Sequence, residues 1–160
     1  MKRSSTIFLQ IVIVLIGIGV LAAMLWFPTL EGRNADATLS ATYFRDPFLA
    51  YVYIASIPFF VALYQGFKLL GSAGRDDVFV QRSVRALRTI KRCAFATASL
   101  IVGAAAYIII ALGGKDDIAG AISMGIIATF TCIVIAAAAA VFERVLQNAL
   151  DMKSENDLTV

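Results

Sequence analysis

The sequence predicts an all-α integral membrane protein: a four-helix bundle with a basic amphipathic cytoplasmic helix between spans two and three. Hydrophobic residues make up 60% of the 160-residue chain, and its mean hydropathy is +0.83. Soluble domains carry only about 45–50% apolar residues. The apolar residues fall into four stretches of roughly 20 residues or more, the length that crosses a bilayer as a helix. The basic residues lie between these stretches, mostly on one side, as in multi-pass membrane proteins.

The first two spans are bounded by residues that favour helix ends and starts. Span one covers about 7–27, and Pro28 follows it without the N–H that a continuing helix needs. The pair Asp46–Pro47 precedes span two, at about 48–70, as an N-cap and a first helical residue. Pro58 lies near the middle of span two, so we expect a kink there that packs against a neighbouring helix.

A basic stretch precedes span three, which covers about 93–112. Apolar and basic residues alternate here at helical spacing. One face carries Val80, Val84, Leu87 and Ile90, and the other carries Arg82, Arg85, Arg88 and Arg92. This pattern predicts a basic interfacial helix that leads without a break into span three.

Span four covers about 118–142 and carries a small residue at every fourth position. These residues are Ala128, Cys132, Ala136 and Ala140. Such a stripe lets helix backbones approach closely in lipid, where packing replaces the hydrophobic drive. It serves either the core of the bundle or a homodimer. The apolar period continues past Glu143, so 143–160 is expected to form a cytoplasmic helical extension and a short polar tail of this single domain.

The lysines and arginines predict the orientation. Eleven of the fourteen lie at the N-terminus, between Lys68 and Arg92, or after span four. The other three are Arg33, Arg45 and Lys115. Because basic loops stay in the cytoplasm, both termini and the central loop are expected there. The predicted outer loop, 29–46, carries no motif that points to a ligand.

The arginine stripe is the strongest candidate site. Its members are Arg82, Arg85, Arg88, Lys91 and Arg92. Each cation beside an anionic leaflet contributes about 1 kcal/mol of binding. The stripe therefore contacts anionic lipid or an acidic face of a cytoplasmic partner, or it acts only as a topology determinant.

Glu143 directly follows the apolar run of span four. A carboxylate inside a membrane is a candidate proton or cation site. Span four is longer than a bilayer requires, so we expect Glu143 at the cytoplasmic interface. There it would form an ion pair with Arg144, or with Arg92 or Lys68.

Several classes of activity lack their usual residues. The chain has no histidine, and its two cysteines, Cys93 and Cys132, are far apart. Intramembrane hydrolases use a histidine or paired acids, and thiol oxidoreductases use paired cysteines. We therefore expect no catalytic residues, no metal and no cofactor. Gln10 and Ser56 are expected to form hydrogen bonds between helices.

Three stretches carry a resemblance to a known family. They are Ser83–Lys91 (SVRALRTIK), Val141–Ala149 (VFERVLQNA) and the closing Glu155–Val160 (ENDLTV). Over essentially its whole length the chain resembles small bacterial membrane proteins of the domain of unknown function 2975. The resemblance implies a four-span protein of the bacterial cytoplasmic membrane without an assigned activity. Members are often encoded beside a small helix-turn-helix regulator, which implies a regulatory partnership.

Two functions follow as hypotheses. The first is a non-enzymatic membrane protein that acts in sensing or as the partner of a small helix-turn-helix regulator, without binding nucleic acid itself. The second is a small dimeric transporter. Against the transporter, no span carries an acidic residue that could couple protons or bind cations.

Overall fold

Four long helices contain the residues that the computed structural model describes, which are 3–30, 47–73, 81–112 and 118–157. They are α1 (Arg3–Leu30), α2 (Pro47–Ala73), α3 (Gln81–Leu112) and α4 (Ala119–Asp157). Each contains one predicted span and is long and apolar enough to cross a membrane. The all-α fold with four membrane-spanning helices is thus confirmed. Nearly all of the predicted outer loop, 29–46, lies outside the described residues.

Two of the helices are longer than a bilayer core requires. At about 1.5 Å per residue, the 32 residues of α3 extend about 48 Å and the 39 residues of α4 about 58 Å. The hydrocarbon core is about 30 Å thick. The surplus in α3 is its N-terminal part, and the surplus in α4 begins near Glu143. The helical extension of α4 continues to Asp157, beyond the two turns that the apolar period indicates.

Residues 81–92, called the basic segment below, are the first three turns of α3. Protein atoms bury its apolar side, since Val84 is 1% and Leu87 6% exposed. A basic amphipathic helix that lies on lipid is therefore not confirmed. The expected unbroken passage into span three is observed, since α3 runs from Gln81 to Leu112. The physical reason is that no glycine or proline occurs between 81 and 102, so nothing interrupts the helical hydrogen bonds before the span.

The helices pack in chain order. In the described part of the chain, broad contacts join α1 to α2, α2 to α3 and α3 to α4. Successive helices are antiparallel; for example, Gln10 of α1 contacts Phe67, while Met24 at the other end of α1 contacts Tyr53. The basic segment therefore lies at the same end of the molecule as the start of α1, the end of α2 and the extension of α4. We call this end the basic end.

Polar side chains connect α2 to both of its neighbours. Gln10 Nε2 donates to the Phe67 carbonyl at 3.2 Å, which confirms its predicted role between helices. Tyr51 Oη donates across to the Leu100 carbonyl of α3 at 2.7 Å. A Cβ added at Gly103 would lie 3.0 Å from this hydroxyl. The absence of a side chain at Gly103 therefore leaves space for the Tyr51 hydroxyl.

Other predictions for α2 have different outcomes. Ser56 Oγ donates to the Tyr53 carbonyl at 2.7 Å, within its own helix, so its predicted role between helices is wrong. The helix continues through Pro58 from Pro47 to Ala73. A proline without an N–H thus does not end this helix.

Small residues form the contact between α3 and α4. The buried ones are Ala94 and Ala98 of α3 and Ala136 and Ala139 of α4, and Ala136 is 0% exposed. Ala128, Cys132 and Ala140 are half-buried on α4, whereas Ile133, Ile135 and Ala137 are exposed. The small stripe of α4 therefore lies on the side that the chain itself covers.

Large apolar side chains are exposed along all four helices. Leu15, Ile57, Ile110 and Phe130, one from each helix, are 61%, 57%, 85% and 66% exposed. Soluble monomers rarely expose contiguous apolar areas of this extent. These faces are suited to contact with lipid chains.

Candidate functional site

The basic segment holds five cations on one rigid scaffold. Arg82, Arg85, Arg88 and Arg92 are exposed, and Lys91 is half-buried. The same three turns bury Ser83, Val84, Ala86 and Leu87. Because the buried side packs inside the protein, the cations are presented outward from a fixed helix.

Glu143 of α4 binds two of these cations. Its carboxylate accepts a hydrogen bond from Arg88 Nε at 2.8 Å and from Lys91 Nζ at 2.5 Å. Residues three apart on a helix share a face, so Arg88 and Lys91 both reach α4. The Glu143 side chain is only 12% exposed, whereas that of Arg88 is 49% exposed. The contact is thus a partly buried link between α3 and α4.

These two cations also favour the charged form of the carboxyl group. Glu143 lies beyond the apolar span 118–142. The hydrogen bond from Lys91, followed by that from Arg88, lowers the pKa of Glu143 below its ordinary value, against a smaller opposing effect of burial.

The structure pairs Glu143 with Arg88 and Lys91 rather than with Arg144. Adjacent residues on a helix do not face each other, which separates Arg144 from the carboxylate beside it. Arg144 instead lines a cleft of about 700 Å³ between α3 and α4, together with the ion-paired residues. Lys68, another expected partner of Glu143, has its ammonium 4.5 Å from the centre of the Tyr64 ring.

The other side of the basic segment faces α2. Arg82 and Arg85 line a cleft of about 380 Å³ there, and Lys68 of α2 lines it with them. Among the described residues that line this cleft, none is acidic. The cations predicted from the sequence therefore lie beside two different neighbours. One is a carboxylate on α4, and the other is a further cation on α2.

Sequence reasoning missed the ion-paired residues of the basic segment as partners of Glu143. The one available signal is that 88 and 91 share a helical face. It does not identify which helix that face meets.

The remaining candidate groups are the cysteines and the possible metal ligands. Cys93 and Cys132 are free thiols. Over the four described stretches, no three His, Cys, Asp or Glu side chains come together as a metal site.

Comparisons with known proteins place the chain among uncharacterised membrane proteins. A family model described as "Protein of unknown function (DUF2975)" matches residues 29–160. The chain is 42% identical over 161 residues to the "Uncharacterized membrane protein YoaS" of Bacillus subtilis (strain 168), and the match covers all of both chains. No solved structure matches the chain.

Proposed function

The chain belongs to the DUF2975 family and is a membrane protein with four candidate spans, and on this premise we propose that it is a non-catalytic docking protein. In this proposal the basic end binds an acidic face of a cytoplasmic partner. The family resemblance points to a small helix-turn-helix regulator as that partner. The membrane protein would then control the regulator by holding it at the membrane or releasing it.

One observation carries this proposal: a rigid row of exposed cations without carboxylate partners. Among the described residues, Arg82, Arg85 and Arg92 are exposed and make no ion pair with an acidic side chain. Their helix is fixed on its other side by buried residues such as Val84. A preorganised basic surface favours an acidic partner through its association rate and through specificity.

Anionic lipid is part of the same proposal. The basic end would lie at the headgroups of the inner leaflet, where each cation adds about 1 kcal/mol of attraction. A partner with an acidic face would replace these lipids at the outward-facing arginines. No direct contact with nucleic acid is proposed.

The test is co-purification with the regulator encoded next to the gene. Exchanging Arg82, Arg85 and Arg92 for glutamine should abolish capture of the regulator by the tagged membrane protein. Arg88 is left in place because its removal would leave Glu143 Oε1 without its ion-pair partner. The proposed contact surface is wrong if the regulator binds the triple variant as well as it binds the native protein.

A matched control removes the same number of charges elsewhere. The variant Arg33→Gln/Arg45→Gln/Lys115→Gln changes the three cations assigned to the outer side. It should capture the regulator normally. Equal loss in both triple variants would indicate a general effect of net charge and would count against a defined surface.

The proposed location is the bacterial inner membrane, with both termini in the cytoplasm. The distribution of lysine and arginine supports this orientation. A tag that carries a cysteine is placed after Val160. A membrane-impermeant, thiol-reactive label should react with this cysteine only when the cells are opened. Labelling of that tag in intact cells would reverse the assignment.

A second candidate, a small dimeric transporter, has one observation in its favour. An apolar cavity of about 350 Å³ lies among all four helices, and Tyr51, Phe59 and Ile101 are among its lining residues. Pockets of this size and character hold small apolar ligands. Proton-linked flux of a lipophilic cation into liposomes containing the purified protein would favour transport over docking.

A further inference from the structure

The cleft between the end of α2 and the start of α3 combines positive charge with an unused buried hydroxyl. Gln65, Lys68, Leu69 and Ser72 line it from α2, and Arg82, Ser83, Arg85, Ala86 and Thr89 line it from α3. Its volume, about 380 Å³, falls within the roughly 300–1,000 Å³ of small-molecule sites.

Three cations line this cleft, and none of its described lining residues is acidic. The Lys68 ammonium lies 4.5 Å from the centre of the Tyr64 ring. Arg82 and Arg85 make no ion pair within the described residues. Cations that line one cleft repel one another, and an anion between them would relieve that repulsion. The positive end of the α3 dipole adds to the same field, because the cleft lies at the first turns of that helix.

Ser83 is the independent sign of a ligand. It is 2% exposed, and its Oγ has no hydrogen-bond partner. A buried hydroxyl without a partner costs about 1–3 kcal/mol. Replacing Ser83 with alanine would remove that cost, so the hydroxyl is not explained by the stability of the empty protein.

From this combination we infer that the α2–α3 cleft binds a phosphate group. Arginine and lysine supply charge-assisted hydrogen bonds to phosphate oxygens. Ser83 supplies a hydroxyl that is free to donate, whereas the hydroxyls of Thr89 and Ser72 in the same wall donate to the carbonyls of Arg85 and Lys68. The phosphate belongs either to the headgroup of an anionic phospholipid or to a small soluble phosphate compound. Binding does not require a docked regulator; for a headgroup, the site rests on the proposed contact of the basic end with anionic lipid and names where that contact is made.

The experiment uses the full-length protein in an uncharged maltoside detergent, with two probes. Calorimetry measures the affinity for inorganic phosphate at constant ionic strength, against chloride. Native mass spectrometry measures retention of phosphatidylglycerol against phosphatidylcholine. Phosphate binding that depends on the cleft identifies a soluble ligand, and selective retention of phosphatidylglycerol that depends on the cleft identifies a headgroup. Both results support the site.

The variants test which side chains carry the binding. Arg85→Gln and Lys68→Gln should each weaken binding about ten-fold or more, since a hydrogen bond to a charged group is lost. Arg92→Gln is the matched control for inorganic phosphate, because Arg92 is an exposed cation of the same helix outside the cleft lining. It should change the affinity less than about two-fold.

Ser83→Ala separates a ligand contact from a structural role. It should weaken binding about five-fold while the thermal midpoint of the ligand-free protein stays the same or rises. A lowered midpoint with unchanged affinity would make Ser83 a packing residue and overturn its assignment. The site itself is overturned if neither probe binds, or if Arg92→Gln weakens the binding of inorganic phosphate as much as Arg85→Gln.

The two proposals fail separately. Lys68→Gln and Ser83→Ala alter the cleft and leave the outward-facing arginines in place. Phosphate binding with normal sensitivity to these variants, together with no capture of the regulator, would reject only the docking role.

Discussion

The basic segment has two sides, and they differ in what they meet. Toward α4, Arg88 and Lys91 share the carboxylate of Glu143. Toward α2, Arg82 and Arg85 line a cleft together with Lys68, a third cation. The residue types and the helix are the same on both sides.

The difference shows that the neighbour, and not the stripe, decides what each cation does. Beside a carboxylate, a pair of cations joins two helices. Beside another cation, the same residue types leave a positive field that an anion can occupy. The α4 side therefore contributes to holding the bundle together, and the α2 side remains available for a ligand.

The largest effect is expected from a change in the packing between α3 and α4. Ala136 is 0% exposed, so Ala136→Leu forces extra volume into a close helix contact and should lower the free energy of unfolding by about 1–3 kcal/mol. Reversible unfolding in mixed micelles measures it. Ala137→Leu is the matched control, since Ala137 is exposed, and it should be nearly neutral. Equal effects of the two variants would mean that α3 does not pack on this face.

The next largest effect is expected from removing the ion pairs between α3 and α4. Glu143→Gln leaves Arg88 and Lys91 without a carboxylate and should cost about 1 kcal/mol of stability, because water screens the half-exposed Arg88. In a double-mutant cycle with Arg88→Gln, the two costs should add up to more than that of the double variant. Simple additivity would show that the ion pair contributes nothing.

The same pair predicts a pH dependence. The pKa of Glu143 is lowered in the folded protein, so its contribution to stability is complete above the ordinary carboxyl pKa. It is lost as the pH falls through the lowered folded pKa. The difference in stability between the native protein and Glu143→Gln should therefore shrink on acidification. A difference that stays constant over that range would contradict the lowered pKa.

A smaller effect concerns how α2 is held against α3. Tyr51→Phe keeps the ring but removes the 2.7 Å hydrogen bond to the Leu100 carbonyl. Hydrogen bonds between membrane helices average about 0.6 kcal/mol, and a loss of that size is expected in the unfolding free energy. Tyr107→Phe serves as the control, since it retains the ring that stacks on Phe48. An equal loss in Tyr107→Phe, which also removes one hydroxyl, would mean that the effect does not come from the hydrogen bond between Tyr51 and Leu100.

The smallest effect is expected at the cation that neither cleft contains. Arg92 is exposed, so Arg92→Gln should change the unfolding free energy by less than about 0.5 kcal/mol. Thermal unfolding of the purified protein measures this. A clear destabilisation would mean that Arg92 holds a structural contact and is a poor control for the phosphate site.

Much of the fold could be predicted because it depends on local composition. Four apolar stretches of sufficient length, separated by charged residues, indicate four spanning helices wherever they occur. The small residues of span four, such as Ala136, also marked the face of α4 that is covered. The C-terminal helix was expected to continue past Glu143, although its end at Asp157 was not, since few sequence signals mark the end of a polar helix.

The candidate site could be predicted only in part. The five cations were identifiable from their spacing, but their division between two neighbours was not. The buried Ser83 gave no signal either, since serine is a common residue near the start of a helix.

The sequence by itself determined that this is a four-helix membrane protein with its cations gathered beside span three. Hydrophobicity and charge are properties of each stretch alone, so no knowledge of its neighbours is needed. Only the tertiary structure decided that Glu143 pairs with Arg88 and Lys91 and that Lys68 lines one cleft with Arg82 and Arg85. Pairing depends on which helices lie side by side, and residues more than 50 positions apart in the chain meet only after the helices have packed.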